Sequence, residues 1–246
     1  MKKLITTFLI TILLVPGLSL AAGNSGPLYK VDLDLNDKAS LQRGMKHFVN
    51  YCLNCHSASY MRFNRAGKDL GISDDILVEN LMFNAEKVGE TMDIAMDPDD
   101  AKKWFGTLPP DLSVITRAKR EGADWLYTYL LTFYVDEKKT FGVNNLKFKD
   151  VGMPHVLWKE QGLKRAVYKK DDAGNEVFDK FETVVEGTMT DKEYENMVRD
   201  MVNFLAYVGE PSKQQRISMG FWVLLFLVIF FFVAYALKKE YWRDIH

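Results

Sequence analysis

Cysteine is scarce in this chain. There are two in 246 residues, Cys52 and Cys55, three positions apart. So few cannot staple a disulfide scaffold, and both sit at one spot. An excess of charge of either sign is also missing. The 32 Lys and Arg against 33 Asp and Glu leave a net charge of −1 and a pI near 6.4. A nucleic-acid binder carries a basic excess, so that class is excluded. No internal repeat and no glycine-rich phosphate loop is visible. What is present is an ordinary globular composition, 48% apolar and 26% charged, which excludes a disordered chain.

The even overall balance hides uneven ends. Met1-Lys2-Lys3 is a short positive stretch, and the apolar run from Leu4 to Val15 follows it. Pro16-Gly17 breaks the run, and Ser19-Leu20-Ala21 places small residues at a cleavage site. This is the layout of a secretory signal peptide, expected over residues 1–21. Near the other end, Ile217 to Leu237 is 21 residues without a charge. At ~1.5 Å per residue it is about 32 Å long, enough to cross a bilayer core. It has no polar face, so a buried soluble helix is excluded. Lys238, Lys239 and Arg243 follow, with Tyr241 and Trp242 as an interfacial belt. The signal peptide implies an exported main domain and a cytoplasmic tail. The expected division is signal peptide 1–21, exported domain 22–212, linker and transmembrane helix 213–237, and tail 238–246.

The chemistry concentrates at Cys52-Leu53-Asn54-Cys55-His56, which reads C-x-x-C-H. Two thiols at this spacing can form thioethers with the vinyl groups of a haem. The adjacent histidine then supplies the proximal iron ligand. A thioredoxin-like pair would need a βαβ setting, and none surrounds it. A structural zinc site would need a second ligand pair, and His47, His155 and His246 are not spaced to provide one. The expectation is one covalently bound haem c on Cys52 and Cys55, with His56 on the iron.

For the sixth ligand, methionine is the expected partner. Met1 and Met219 lie in the end segments, Met197 and Met201 on a helical core face, and Met45 and Met61 too near the motif. Met82, Met92, Met96, Met153 and Met189 remain. Gly152-Met153-Pro154 offers a loop in which glycine permits unusual dihedrals and proline stiffens the chain. Met189 is its rival.

Helical periodicity predicts a helix from Ser40 towards Cys52. A second, from Asp191 to Val208, carries the stripe Tyr194, Val198, Met201, Leu205 and Val208. Gly44 inside the first costs ~1 kcal/mol against alanine, which implies close packing against the second. Further helices are predicted over 74–83, from Asp111 to Gly122, and over the aromatic-rich 124–135. A β-hairpin is predicted around residues 171–175. From Asp74 to Asp111 ten acids face three lysines. That run is either a solvated face or a docking surface for a basic redox partner.

These residues together resemble a known family, cytochrome c1, the haem subunit of the bacterial-type cytochrome bc1 (ubiquinol–cytochrome c reductase) complex. The resemblance is carried by Leu41-Gln42-Arg43-Gly44 through Asn50-Tyr51-Cys52 and Cys55-His56-Ser57. It continues in Pro109-Pro110-Asp111-Leu112-Ser113 with Arg117-Ala118-Lys119-Arg120, and in Gly152-Met153-Pro154. Phe204-Leu205 through Glu210-Pro211 and the terminal span complete it. It implies a mainly α, cytochrome c-like haem domain with a small β-hairpin insertion and one C-terminal transmembrane helix. It implies Met153 as sixth ligand, Pro110 packing on the haem, and Arg117 or Lys119 paired with a propionate. The family usually has arginine where this chain has Lys119, which is a point charge rather than a fork. His155, next after Pro154, is expected to be exposed. The implied partners are cytochrome b and the Rieske iron–sulfur subunit, with cytochrome c as electron acceptor and no nucleic acid. The implied activity is one-electron transfer in a respiratory chain, with no substrate-converting site of its own. The implied location is the inner membrane, with the haem domain in the periplasm.

Overall fold

A computed structural model describes residues 27–172 and 174–245. The expected signal peptide, 1–21, lies outside them. In chain order the elements begin with α1 (Lys38–Tyr51), β1 (Ala58–Arg62), α2 (Phe63–Leu70) and α3 (Asp74–Asn80). Then come β2 (Thr91–Met92), α4 (Pro98–Phe105), α5 (Ile115–Ala118), α6 (Gly122–Leu131), β3 (Phe133–Val135) and β4 (Val143–Asn145). The chain ends with α7 (Trp158–Gln161), β5 (Gly162–Lys170), β6 (Glu176–Glu186), α8 (Asp191–Gly209) and α9 (Lys213–Tyr241). The strands form three separate antiparallel pairs, β1–β2, β3–β4 and β5–β6.

The centre of the domain is the crossing of α1 and α8. A Cβ added at Gly44 would lie 2.1 Å from the Asp200 carbonyl oxygen and 2.7 Å from Phe204 Cβ. No side chain fits there, which is the packing reason the internal glycine implied. Around the contact the two helices bury Met45, Phe48, Val198, Met201 and Phe204, with the Phe48 and Phe204 rings 5.7 Å apart. A buried carboxylate also joins them. Asp200 accepts from the Ser40 hydroxyl at 2.7 Å and from Arg43 Nε at 2.6 Å. Burying such a charge is costly unless it is bonded on both oxygens, as here. Each helix starts on a side-chain cap: Asp37 accepts from the Ser40 N–H at 3.0 Å, and Thr190 with Glu193 forms a capping box on α8.

Several predicted elements are shorter or different. The helix expected from Asp111 to Gly122 is only α5. The stretch before it is held extended, because Leu112 N–H donates to the Ser57 carbonyl at 2.7 Å. The helix expected over 124–135 ends at Leu131, since Phe133–Val135 pairs instead with Val143–Asn145. The helix expected over 74–83 stops at Asn80. The hairpin is present and its first strand is longer than expected, reaching back to Gly162. The acidic run holds an unpredicted helix, α4, capped by Asp97 accepting from the N–H groups of Asp99 and Asp100. Part of that charge is therefore local capping.

Helix α9 is 29 residues long, with a mean hydropathy of 2.7 over its best window and no buried side chain. Among the described residues it is the one helix long and apolar enough to cross a membrane. Gly44→Ala is expected to destabilise the domain by about 1–3 kcal/mol through overpacking, although alanine is the better helix former. The measurement is the denaturant midpoint. An unchanged midpoint would contradict the Gly44–Asp200 contact.

Candidate functional site

Helix α1 delivers the C-x-x-C-H motif. Beyond Tyr51 the backbone closes tightly: Cys55 N–H and His56 N–H both donate to the Cys52 carbonyl, at 3.0 and 2.8 Å. Cys52 is buried, with Sγ 3.6 Å from Met201 Sδ on α8. Burial, and then the neighbouring Cys55, pushes its thiol up to about 12. Cys55 is half-buried and its thiol is also raised by burial. Neither cysteine is in a disulfide. Both thiols are therefore available for attachment, side by side on one turn.

His56 is oriented from the opposite strand of chain. Its Nδ1 lies 2.7 Å from the Pro110 carbonyl oxygen. A carbonyl only accepts, so Nδ1 must carry the proton and Nε2 is left with a free lone pair. Burial lowers the His56 pKa, against the opposing pull of the Pro110 carbonyl and Asp111, so the ring is held as neutral imidazole, the ligand form. This is the arrangement that fixes a metal-binding histidine's tautomer and direction. The Pro110 segment is itself pinned. Asp111 accepts from the Ser59 N–H at 2.9 Å and from the Ser113 N–H at 2.7 Å, and the Tyr60 N–H donates to Ser113 Oγ at 3.1 Å.

Met153 belongs to a second unit. The Tyr129 hydroxyl donates to Met153 Sδ at 3.2 Å. That bond occupies one sulfur lone pair and leaves another. Tyr129 projects from α6, stacked on Trp125 at 5.0 Å and meeting Phe133 edge-on at 5.2 Å. Burial raises its hydroxyl pKa, so it stays a donor. The loop that carries Met153 is held by two buried asparagines. Asn145 Nδ2 donates to the Tyr129 carbonyl at 2.7 Å, and its Oδ1 accepts from the Lys147 and Phe148 N–H groups at 2.9 and 3.0 Å. Asn144 Oδ1 accepts from the Asp150 N–H at 2.8 Å. The unusual dihedral expected at Gly152 is instead at Asp150, with φ 61°. Met153 packs against the same core as Leu112, Ile115 and Val156.

The remaining expected residues are distributed as follows. Lys119 Nζ stands 4.2 Å from the Trp125 ring centroid and 5.7 Å from that of Phe148. It therefore belongs to the Tyr129–Met153 unit. Arg117 points elsewhere, to Glu210 at 2.5 Å. Met189 packs, partly buried, against the core, and its N–H donates to the Glu160 carbonyl at 3.2 Å. His155, expected to be exposed, is buried and stacked on Phe133 at 4.9 Å. Burial brings its pKa down to about 4. Asn144 and Asn145 carry no signal beyond an Asn pair beside Gly142, and their roles were not visible in the sequence.

The two thiols and the free Nε2 are the donor set a covalent haem requires. The site is therefore that of a c-type haem protein. A model of the cytochrome C1 family matches residues 30–245. Cytochrome c1 of Allochromatium vinosum is 49% identical over 249 residues, covering the whole of both chains. A Nitrosomonas europaea protein named ammonia monooxygenase gamma subunit is 48% identical over 244 residues, 99% of this chain and all of that one. Cytochrome c1 of Rhodospirillum rubrum is 26% identical over 250 residues, 85% of this chain and 83% of its own. The chain belongs to the cytochrome c1 family, the haem subunits of bc1 complexes. Proteins of this family carry one covalently bound haem c.

Asn145→Ala is expected to cost about 2 kcal/mol or more, since it strands several buried backbone groups. Limited proteolysis should then cut residues 136–150 faster. Unchanged stability and cleavage would show that the loop is held by other contacts.

Proposed function

We propose that this chain is a membrane-anchored one-electron carrier. It takes electrons from a Rieske iron–sulfur subunit and passes them to cytochrome c within a respiratory quinol–cytochrome c reductase. The observation that carries the reading is the His56 Nδ1 bond to the Pro110 carbonyl, which leaves Nε2 as a ligand beside two free thiols. When bound, haem c supplies a one-electron iron couple. The chain's own residues do the rest. Cys52 and Cys55 anchor the group, and Pro110 fixes the direction of His56. Tyr129 would hold Met153 in place as the thioether ligand to the iron. No general acid or base is needed, because no substrate bond is made or broken.

Of the two candidate propionate cations, Lys119 is the better supported. It lies over Trp125, one ring from Tyr129 and Met153, whereas Arg117 is ion-paired with Glu210. The acidic residues of 74–111 that are not used as caps form the surface for a basic acceptor, where charge raises the encounter rate and salt screens it. The proposed topology has a signal peptide over 1–21, the haem domain over 22–212 in the periplasm, one span, and a cytoplasmic tail over 238–246. Cytochrome b is the partner of that span.

Met153→Leu is expected to retain covalent haem, lower the midpoint potential and admit carbon monoxide, while Met189→Leu changes none of these. Redox titration with absorption spectra reads all three, and the reverse outcome would overturn the ligand assignment. Lys119→Gln is expected to lower the potential more than Arg117→Gln does. An equal or smaller effect would return the propionate role to Arg117.

A further inference from the structure

A second site lies at the membrane end of the domain, away from the motif. Where α8 hands over to α9, a cleft of about 370 Å³ opens. One part of its wall is apolar, with Leu33, Leu35 and Ala206. The other carries two cations, Arg117 and Lys213, and two carboxylates, Asp34 and Glu210. Arg216 also pairs with Glu210, so positive charge slightly exceeds negative at this end.

Depth identifies what this cleft meets. Lys213 opens α9, and Ile217 opens its uncharged stretch. Four residues at ~1.5 Å each place Lys213 about 6 Å above the hydrocarbon boundary. The polar zone of one leaflet is roughly 5–8 Å thick, from a core of ~30 Å in a bilayer of ~40–45 Å. The cleft is therefore level with lipid headgroups. Its volume lies within the range of small-molecule sites, about 300–1,000 Å³.

We propose that this cleft binds the headgroup of a zwitterionic phospholipid of the ethanolamine type, drawn from the membrane that α9 enters. The phosphate suits Lys213, beside the Arg117–Glu210 ion pair that closes that wall. The primary ammonium has N–H groups to donate to Asp34, which a choline headgroup lacks. A purely anionic headgroup would leave Asp34 facing negative charge. Leu33, Leu35 and Ala206 take the glycerol and the first acyl carbons. The lipid then wedges between the haem domain and its anchor, and fixes the angle at which the domain stands on the membrane.

The test uses the full-length holoprotein, extracted in mild detergent and examined by native mass spectrometry. Phosphatidylethanolamine, phosphatidylcholine and phosphatidylglycerol are offered in turn, with free phosphoethanolamine and inorganic phosphate as soluble competitors. One phosphatidylethanolamine should be retained in preference to either other lipid by about tenfold, the value of one charge-assisted hydrogen bond. The soluble competitors should not displace it. Ala206→Phe, which fills the cleft, should abolish retention with the haem spectrum unchanged. Asp34→Asn, a milder change, should remove the preference over phosphatidylglycerol. Equal retention of all three lipids, displacement by free phosphoethanolamine or phosphate, no retained lipid, or an Asp34→Asn protein with full preference would each overturn the proposal.

Discussion

The haem domain depends on how closely α1 can approach α8. With Gly44 against the Asp200 carbonyl, the helices come within backbone contact, closer than any side chain at that position would allow. The buried Asp200 carboxylate, held by Ser40 and Arg43, fixes their rotation and register as well as their distance. That register sets the end of α1, so it decides where Cys52 emerges. The thiol comes to rest on Met201, which lies on α8 between Asp200 and Phe204, the two residues that Gly44 meets. A shift of either helix would move the attachment point.

The units that carry the two proposed ligands are held by different means. His56 is directed by backbone, through a proline carbonyl whose own segment is tied to residues 57–60. Met153 is directed by side chains, through a tyrosine hydroxyl backed by stacked rings. The first arrangement is stiff because several hydrogen bonds tie two segments, residues 56–60 and 110–113, directly to one another. The second depends on a loop of about fifteen residues, and this explains why two buried asparagines are spent on it. A histidine needs a defined tautomer, whereas a thioether needs only to be held still.

Much of this was legible in the residues, for reasons of periodicity and chemistry. The α1 and α8 stripes repeat at helical spacing, the span is too apolar for water, and C-x-x-C-H leaves few chemical readings. The aromatic run of α6 reads as a helix, and Gly44 as a close approach. Other features depend on contacts distant in sequence. Asp111 reads as the start of a helix, yet Ser57 and Ser59 hold its segment extended. Tyr134 and Val135 continued a helical pattern, but pairing with β4 overrode it. His155 looked exposed as a polar residue after a proline; its burial follows from Phe133, twenty-two positions earlier. The roles of Asn144 and Asn145 are set wholly by such contacts.

The central claim is that the iron is held between His56 and Met153. Near-infrared magnetic circular dichroism of the oxidised, full-length holoprotein tests it most directly, because its charge-transfer band separates histidine–methionine from bis-histidine and histidine–lysine ligation. The account predicts a low-spin histidine–methionine band, unchanged in Met189→Leu and lost in Met153→Leu. A bis-histidine or histidine–lysine band in the unmodified protein would contradict it.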